Sequence, residues 1–486
     1  MSLYYRVLKG VYRDSVALMR VSGDLAATPG VERISVLMGT AANRALFEQA
    51  GLLGGGIPAA GPNDLCIAAS FGPPATEADV EARVEAALAA AAPEAVEVAA
   101  ARPRSLRGAG AQGWAVVSVP GPFAAAEAGK AIHLGMDVFL FSNGVSLQDE
   151  MALKRLATAH GRLVMGPDAG TALVQGVPLG FCNAWPAGHV GVVAASGTGT
   201  QEVACQLARR GIGISQIIGA GSRDLHAEVG GATVRAGLRR LEQDPETEVV
   251  LFISKSGGAA LRTEKPCIAL VLDETGQTPQ GAVRAEDTDQ AARLVAGLGP
   301  SANLTPVQLQ AAAAWARSLP EGRRWLRGLF SGGTLALQAV RLIPGAVSAE
   351  PAPGTAADPL GGALAALGPG EHRVLDMGDE AFTVGRPHPI VDVALRGEAM
   401  RNLTPDTAVV LFDVVLGRLA HPDPAGALAE RLQPGPLYVA SVCGAPGDPQ
   451  GYDEQCARLR AAGVWVADGA AQAARIAAAI LAEVAA

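Results

Sequence analysis

Aromatic side chains are scarce in this chain. Phe, Trp and Tyr make up 4% of its 486 residues, although hydrophobic residues reach 49%. The apolar content is therefore carried by Ala, Val, Leu and Ile, alongside 60 Gly. That composition suits parallel sheets covered by helices. Positive charge is also in short supply. A net charge of −8 excludes the basic footprint of a nucleic-acid partner and leaves room only for a local basic pocket around a small anion. No apolar run approaches the roughly 20 residues of a membrane helix, and Met1–Lys9 has no apolar signal core. A cytoplasmic protein with no membrane partner is expected. The six cysteines (Cys66, Cys182, Cys205, Cys267, Cys443, Cys456) are scattered without a C-x-x-C. They read as inert thiols in a reducing compartment, with no metal site.

What is present is an α/β rhythm. Residues 1–92 alternate short strands and helices: strands at 3–8, 31–38 and 65–70, helices at 14–25, 41–50 and 76–90. They read as a small α+β domain, possible in a ferredoxin-like form, for docking or regulation. Residues 91–113 read as a linker. A Rossmann-like domain is expected over 93–185, and two further α/β units over 186–305 and 306–486. The Pro/Gly/Ala-rich stretch 344–370 is expected to be a flexible loop.

The two later units open alike. VGVVAASGTGTQEVA (190–204) and RGLFSGGTLALQAV (327–340) each read as a strand, a small-residue loop and a helix. The first N–H groups of such a helix have no partner within it and sit at its positive dipole end. Gly197, Gly199, Gly332 and Gly333 let a ligand approach the backbone, and Ser196, Thr198, Ser331 and Thr334 add hydroxyls. Ordinary helix capping explains one such loop equally well. Two of them at the heads of matched units point to helix N-termini that converge on a phosphate or oxyanion.

These segments resemble known proteins. VGVVAASGTGTQEVA and QDPETEVVLFISKSGG (243–258) are similar to the ligase domain of the succinyl-CoA synthetase alpha subunit. RGLFSGGT, GRPHPIVD (385–392) and DVVLGRLAHPDPA (413–425) resemble the equivalent domain of its beta subunit. VSLQDE (145–150) and GPDAGTA (166–172) resemble its CoA-binding Rossmann domain. Their fusion in one chain resembles the FdrA family. The resemblance implies a Rossmann-like CoA-binding-type domain, two flavodoxin-like ligase domains and the small N-terminal domain.

The departures bear on chemistry. The synthetase carries phosphate on a histidine. The matching stretch DETGQTPQGAVRAEDTDQAA (273–292) has none. Lys255 stands where the synthetase has the glutamate that positions that histidine, and no ATP-grasp domain is present. This fits a pocket for a free anion. His388 and His421 each follow an expected strand of the last unit and are proton-shuttle candidates, with Asp392, Arg396, Asp413 and Asp423 as neighbours that tune them. Each is equally readable as a structural histidine, and His133, His160, His226 and His372 read that way more simply. His189 precedes its strand and falls at the wrong sheet edge. Asp168, at the end of an expected strand, is a further pocket candidate, as is Asp413.

The FdrA resemblance implies a subunit of an oxamate carbamoyltransferase in anaerobic allantoin breakdown. Oxalurate and phosphate give oxamate and carbamoyl phosphate, with other subunits of the same complex as partners. Phosphate is then a substrate, and no cofactor is required. CoA binding is left open by the shortened Gly108–Gly113 turn. Acyl-CoA synthesis and a non-catalytic scaffold stand as alternative readings.

Overall fold

The structure is a computed structural model that describes residues 2–11, 15–26, 28–90, 105–108, 110, 112–257, 260–299, 303–351, 354–384 and 386–485. Most of the linker expected at 91–113 lies outside these residues, as does Gly258. The chain is an α/β protein with parallel sheets and a small N-terminal domain. It divides into two compact units.

The first unit comprises residues 1–101, 350–366 and 377–402. Its sheet has three antiparallel strands, Ser2–Leu8, Leu65–Phe71 and Val31–Met38, with Leu65–Phe71 in the centre. Alternation places Leu65, Ile67, Ala69 and Phe71 against Val21, Leu25 and Val84 on one face. Cys66 and Ala68 meet Phe47, Leu52 and Ile57 on the other. The helices Ser15–Ala26, Ala41–Gln49 and Glu77–Ala90 connect and cover these strands. Segment 377–402 contributes the short helix Ala394–Arg401, which packs on the helix Pro359–Ala366.

The second unit holds the remaining residues, 102–349, 367–376 and 403–486. Three short parallel strands, Trp114–Val117, Asp137–Leu140 and Val164–Met165, form the Rossmann-like part. The helix Leu147–Ala159 ties it to its neighbour through buried charge. Lys154 Nζ lies 2.7 Å from Glu150 Oε1 and 2.7 Å from Asp224 Oδ1, and Asp224 also receives the N–H groups of Thr233 and Val234. A seven-stranded sheet follows. Its parallel core runs Val283–Ala285, Cys267–Val271, Val249–Ser254, Ala187–Ala195, Ile214–Gly219. Counted along the chain from Ala187–Ala195, this is the flavodoxin strand order.

The last sheet is wholly parallel: Ala346–Ala349, His372–Asp376, Trp325–Phe330, Thr407–Val415, Leu437–Cys443, Trp465–Ala467. The helix Ala470–Ala485 buries Ile476, Ala477 and Ile480 against it.

Three expectations need correction. The hairpin Thr171–Val174/Val177–Gly180 pairs with Ile214–Gly219, so the seven-stranded sheet reaches back across the boundary drawn at 185/186. Residues 344–370 are not simply a loop, because they hold the strand Ala346–Ala349 and the helix Pro359–Ala366. Segment 377–402 belongs to the first unit and not to the last sheet's unit. Among the described residues no helix is long and apolar enough to cross a membrane.

Candidate functional site

In each of the two large sheets, the strand that starts the α/β unit lies between strands that run to opposite edges. A topological switch point of this kind leaves a crevice at the carboxyl ends of the strands. Ser196 follows the strand Ala187–Ala195, and Ser331 follows Trp325–Phe330. Both Gly-rich loops therefore occupy switch points of the second unit.

The loops touch each other. Ser196 is the N-cap of the helix Gly197–Arg209, and its Oγ accepts from Gly199 N at 3.1 Å. The same oxygen lies 2.7 Å from Thr334 Oγ1, in the first turn of the helix Gly333–Leu342. Thr200 Oγ1 donates to Ser196 O at 2.5 Å. Missing side chains permit the contact. A Cβ on Gly332 would lie 2.5 Å from Thr198 Cγ2, and one on Gly199 would lie 2.5 Å from Ser196 Oγ and 2.8 Å from Thr334 Cγ2. The two helix N-termini thus converge, as the paired loops lead one to expect. Thr334 is buried, whereas Gly197 is exposed and Ser196, Thr198, Gly332 and Gly333 are half-buried, so the cradle opens to solvent on one side.

Charged groups surround it. Lys255 follows the strand Val249–Ser254, next to Ala187–Ala195 in the sheet, and is exposed. Its Nζ reaches the start of the Gly333–Leu342 helix, 2.5 Å from where a Gly333 Cβ would be. Asp376 Oδ2 lies 2.6 Å from the same point. Asp376 ends the strand His372–Asp376, in register with Phe330. On the other side of Trp325–Phe330, Asp413 is fully buried in Thr407–Val415. Its Oδ1 accepts from Ser331 N at 2.8 Å and from Ser331 Oγ at 3.0 Å. Asp413 therefore holds the loop in shape, and the buried Ser331 hydroxyl points to it. Asp376 was missed in the sequence reading. RVLD closes an apolar run on an acidic residue, but only sheet register places that residue beside the SGGT loop.

The remaining candidates fall elsewhere. His421 lies in the connection after Thr407–Val415. Its Nδ1 accepts from Asp423 N at 3.1 Å, which places the proton of the neutral ring on Nε2. The Asp423 carboxylate is engaged by Gln455 Nε2 at 2.9 Å and by Arg458. His388 belongs to the first unit and not to the unit of the loops, contrary to its expected place at their sheet edge. Its Nδ1 accepts from Ile390 N at 3.3 Å. Burial, helped by the Arg396 guanidinium, pushes its pKa down to about 4. Asp168 is exposed in the left-handed region at φ 59. Its N–H donates to Ser142 O, and Ser222 Oγ lies 3.4 Å from its carboxylate. It borders the loop after Ile214–Gly219.

Comparison with known proteins adds to this geometry. Residues 1–103 match the family model described as AllF, heavy metal-associated domain, and residues 329–480 match that of the CoA-ligase family. The chain is 34% identical over 503 residues to the uncharacterized protein YahF of Escherichia coli K12, an alignment spanning 96% of both chains. It is 32% identical over 149 residues to the succinate–CoA ligase [ADP-forming] alpha subunit of Aquifex aeolicus, across 29% of this chain and 48% of that one. With the malate–CoA ligase alpha subunit of Methylorubrum extorquens it shares 34% over 151 residues, across 29% and 50%. The match thus spans about half the length of these ligase subunits.

The metal named in the first of those descriptions does not fit the residues present. Residues 1–103 contain one cysteine and no histidine. That cysteine, Cys66, is fully buried in the central strand. Among the described residues no group of three His, Cys, Asp or Glu side chains is placed to hold a metal ion.

Proposed function

The chain belongs to the family of Escherichia coli YahF, and from the geometry of its paired loops we propose that it is a transferase subunit that binds free phosphate between two helix N-termini and directs it at an acyl or carbamoyl carbon. In its specific form the reaction is that of an FdrA-type oxamate carbamoyltransferase. A phosphate oxygen bonds to the carbamoyl carbon of oxalurate, the C–N bond breaks, and the departing nitrogen takes a proton to give oxamate and carbamoyl phosphate.

One observation carries this reading. The SGTGT and SGGT loops are joined by the Ser196–Thr334 hydrogen bond, and Lys255 reaches the N-terminus of the second helix. Lys255 lies there beside the Asp376 carboxylate, and a bound dianion faces both the ammonium and the positive end of the helix dipole. The N–H groups of Gly197, Thr198, Gly332 and Gly333 supply donors to phosphate or to the developing oxyanion. Asp413 fixes Ser331, and fixed positions for two anionic reactants account for much of the rate in such a transfer. The proton taken by the leaving nitrogen is the one monohydrogen phosphate brings, and His388 and His421 are assigned no step. The absence of a histidine in 273–292 leaves phosphate held without a covalent bond to the enzyme.

The test is to incubate the purified chain and its partner subunits with oxalurate and phosphate and to measure carbamoyl phosphate. Formation that falls at least ten-fold in Lys255→Ala or Ser196→Ala supports the reading. No carbamoyl phosphate with all subunits present refutes the specific reaction, and unchanged rates in both variants leave the chain a scaffold. The CoA-ligase match favours a second reading, acyl-CoA formation. A strict requirement for CoA in the same assay would put it first.

A further inference from the structure

The cradle contains a carboxylate that the proposed reaction does not yet use. Asp376 Oδ2 and Lys255 Nζ both lie against Gly333 Cα, 2.6 and 2.5 Å from where its Cβ would be. The position is set by the fold. Asp376 is paired in register with Phe330, the last residue of the strand that delivers the SGGT loop, and it is half-buried. A site meant for anions in general would gain from a neutral donor there.

We propose that Asp376 is a specificity-determining residue that restricts the cradle to an oxyanion carrying a hydrogen. The proposal rests on the phosphate reading above and deepens it. Phosphate and sulfate have the same tetrahedral shape, nearly the same size and similar charge at neutral pH. They differ in one hydrogen. A carboxylate only accepts hydrogen bonds. Facing monohydrogen phosphate, Asp376 receives the P–OH in a short charge-assisted bond. Facing sulfate, it presents one acceptor to another, and two like charges meet at contact distance. Lys255 offsets part of the total charge for either ligand and so does not discriminate. The bond also turns the hydrogen-bearing oxygen of phosphate toward Asp376, which leaves its unprotonated oxygens for the helix N–H groups and for attack.

The experiment is isothermal calorimetry on the full chain in chloride buffer at pH 7.0, titrated separately with inorganic phosphate and with sulfate. The wild type is expected to bind phosphate at least ten-fold more tightly than sulfate. In Asp376→Asn the amide can donate as well as accept, and the ratio should fall to within about two-fold, with the thermal unfolding of the variant confirming its fold. Equal binding of both anions by the wild type would overturn the role of Asp376 and leave the phosphate reading intact. Undiminished selectivity in Asp376→Asn would do the same. No phosphate binding by the wild type would remove the phosphate reading itself, and this inference with it. The wild-type comparison needs no variant, so a misfolded Asp376→Asn does not shield the proposal.

Discussion

At the scale of single residues, the aspartates either side of the SGGT loop differ in burial, and burial decides their roles. Asp413 is fully buried and accepts both the N–H and the hydroxyl of Ser331, itself fully buried. Removing the acceptor exposes neither donor to water. Asp413→Ala is therefore expected to cost about 2–4 kcal/mol, read as a lower urea midpoint, while Asp413→Asn, whose amide oxygen still accepts, should cost clearly less. Equal losses in the two would show that the hydrogen bonds are not the cause. His388 makes a different prediction. Its folded pKa of about 4 lies below the ordinary 6.5, so the unfolded chain takes up the proton first as pH falls. The stability tied to the neutral ring is complete above pH 6.5 and is lost between about 6.5 and 4, to the extent of roughly 3 kcal/mol. His388→Asn keeps an acceptor for the Ile390 N–H. Urea midpoints measured from pH 7 to 4 should fall less steeply in that variant than in the wild type, and parallel curves would contradict the assignment. At pH 7 the ring is neutral and cannot serve as a general acid.

At the scale of elements, the site is a contact between two helix starts in which a glycine of each faces a threonine of the other. Gly332 has an extended backbone, φ −167, that any residue adopts, so its glycine is required by contact and not by conformation. A methyl there would meet Thr198 at 2.5 Å. Gly332→Ala should push the loops apart and destabilise the chain by ~1–3 kcal/mol. Thr198→Ala removes both side-chain atoms nearest that methyl, so the double variant should recover most of the loss. A double-mutant cycle in thermal unfolding measures the coupling, and additive effects would mean that the loops do not press on each other there. The same helix is gripped further along. Glu202, fully buried, accepts from Gln206 Nε2 and Ala470 N, while Asp289 accepts from Gln206 Nε2 and Gln472 N. Two carboxylates thus meet the N-terminus of Ala470–Ala485, which favours negative charge. Burial raises the pKa of both.

At the scale of the whole molecule, what was legible in the sequence followed apolar runs and their periodicity. The Leu65–Phe71 and Val249–Ser254 strands are continuous apolar runs, the Gly197–Arg209 helix has a strong period, and each of these, like the paired loops, has a small-residue boundary. Pro359–Ala366 could not, because PLGGALAA has no polar residue to set off its buried face of Pro359, Ala363 and Ala366, and its start is marked only by Asp358 accepting from Gly361 N. The hairpin at 171–180 did carry a signal, a two-residue Gln175-Gly176 turn at positive φ, and went unread. Asp376 was hidden for another reason. Its importance comes from sheet register, which puts it beside Phe330 across 46 positions of sequence, and no local pattern encodes that.

The least legible feature is that segment 377–402, between two strands of the last sheet, shares a compact unit with residues 1–101. It carries buried Phe382, Ile390, Val391, Val393 and Met400, each worth ~1.5–3 kcal/mol when removed from water. The N-terminal domain is therefore not a detachable appendage. A chain starting at Arg102 should keep its two large sheets yet expose this segment. It should bind a hydrophobic dye and aggregate at concentrations where the full chain stays monodisperse by light scattering. A shortened chain with the same unfolding temperature, no dye binding and full phosphate affinity would show that the segment folds without residues 1–101, and that the N-terminal domain acts only through partners.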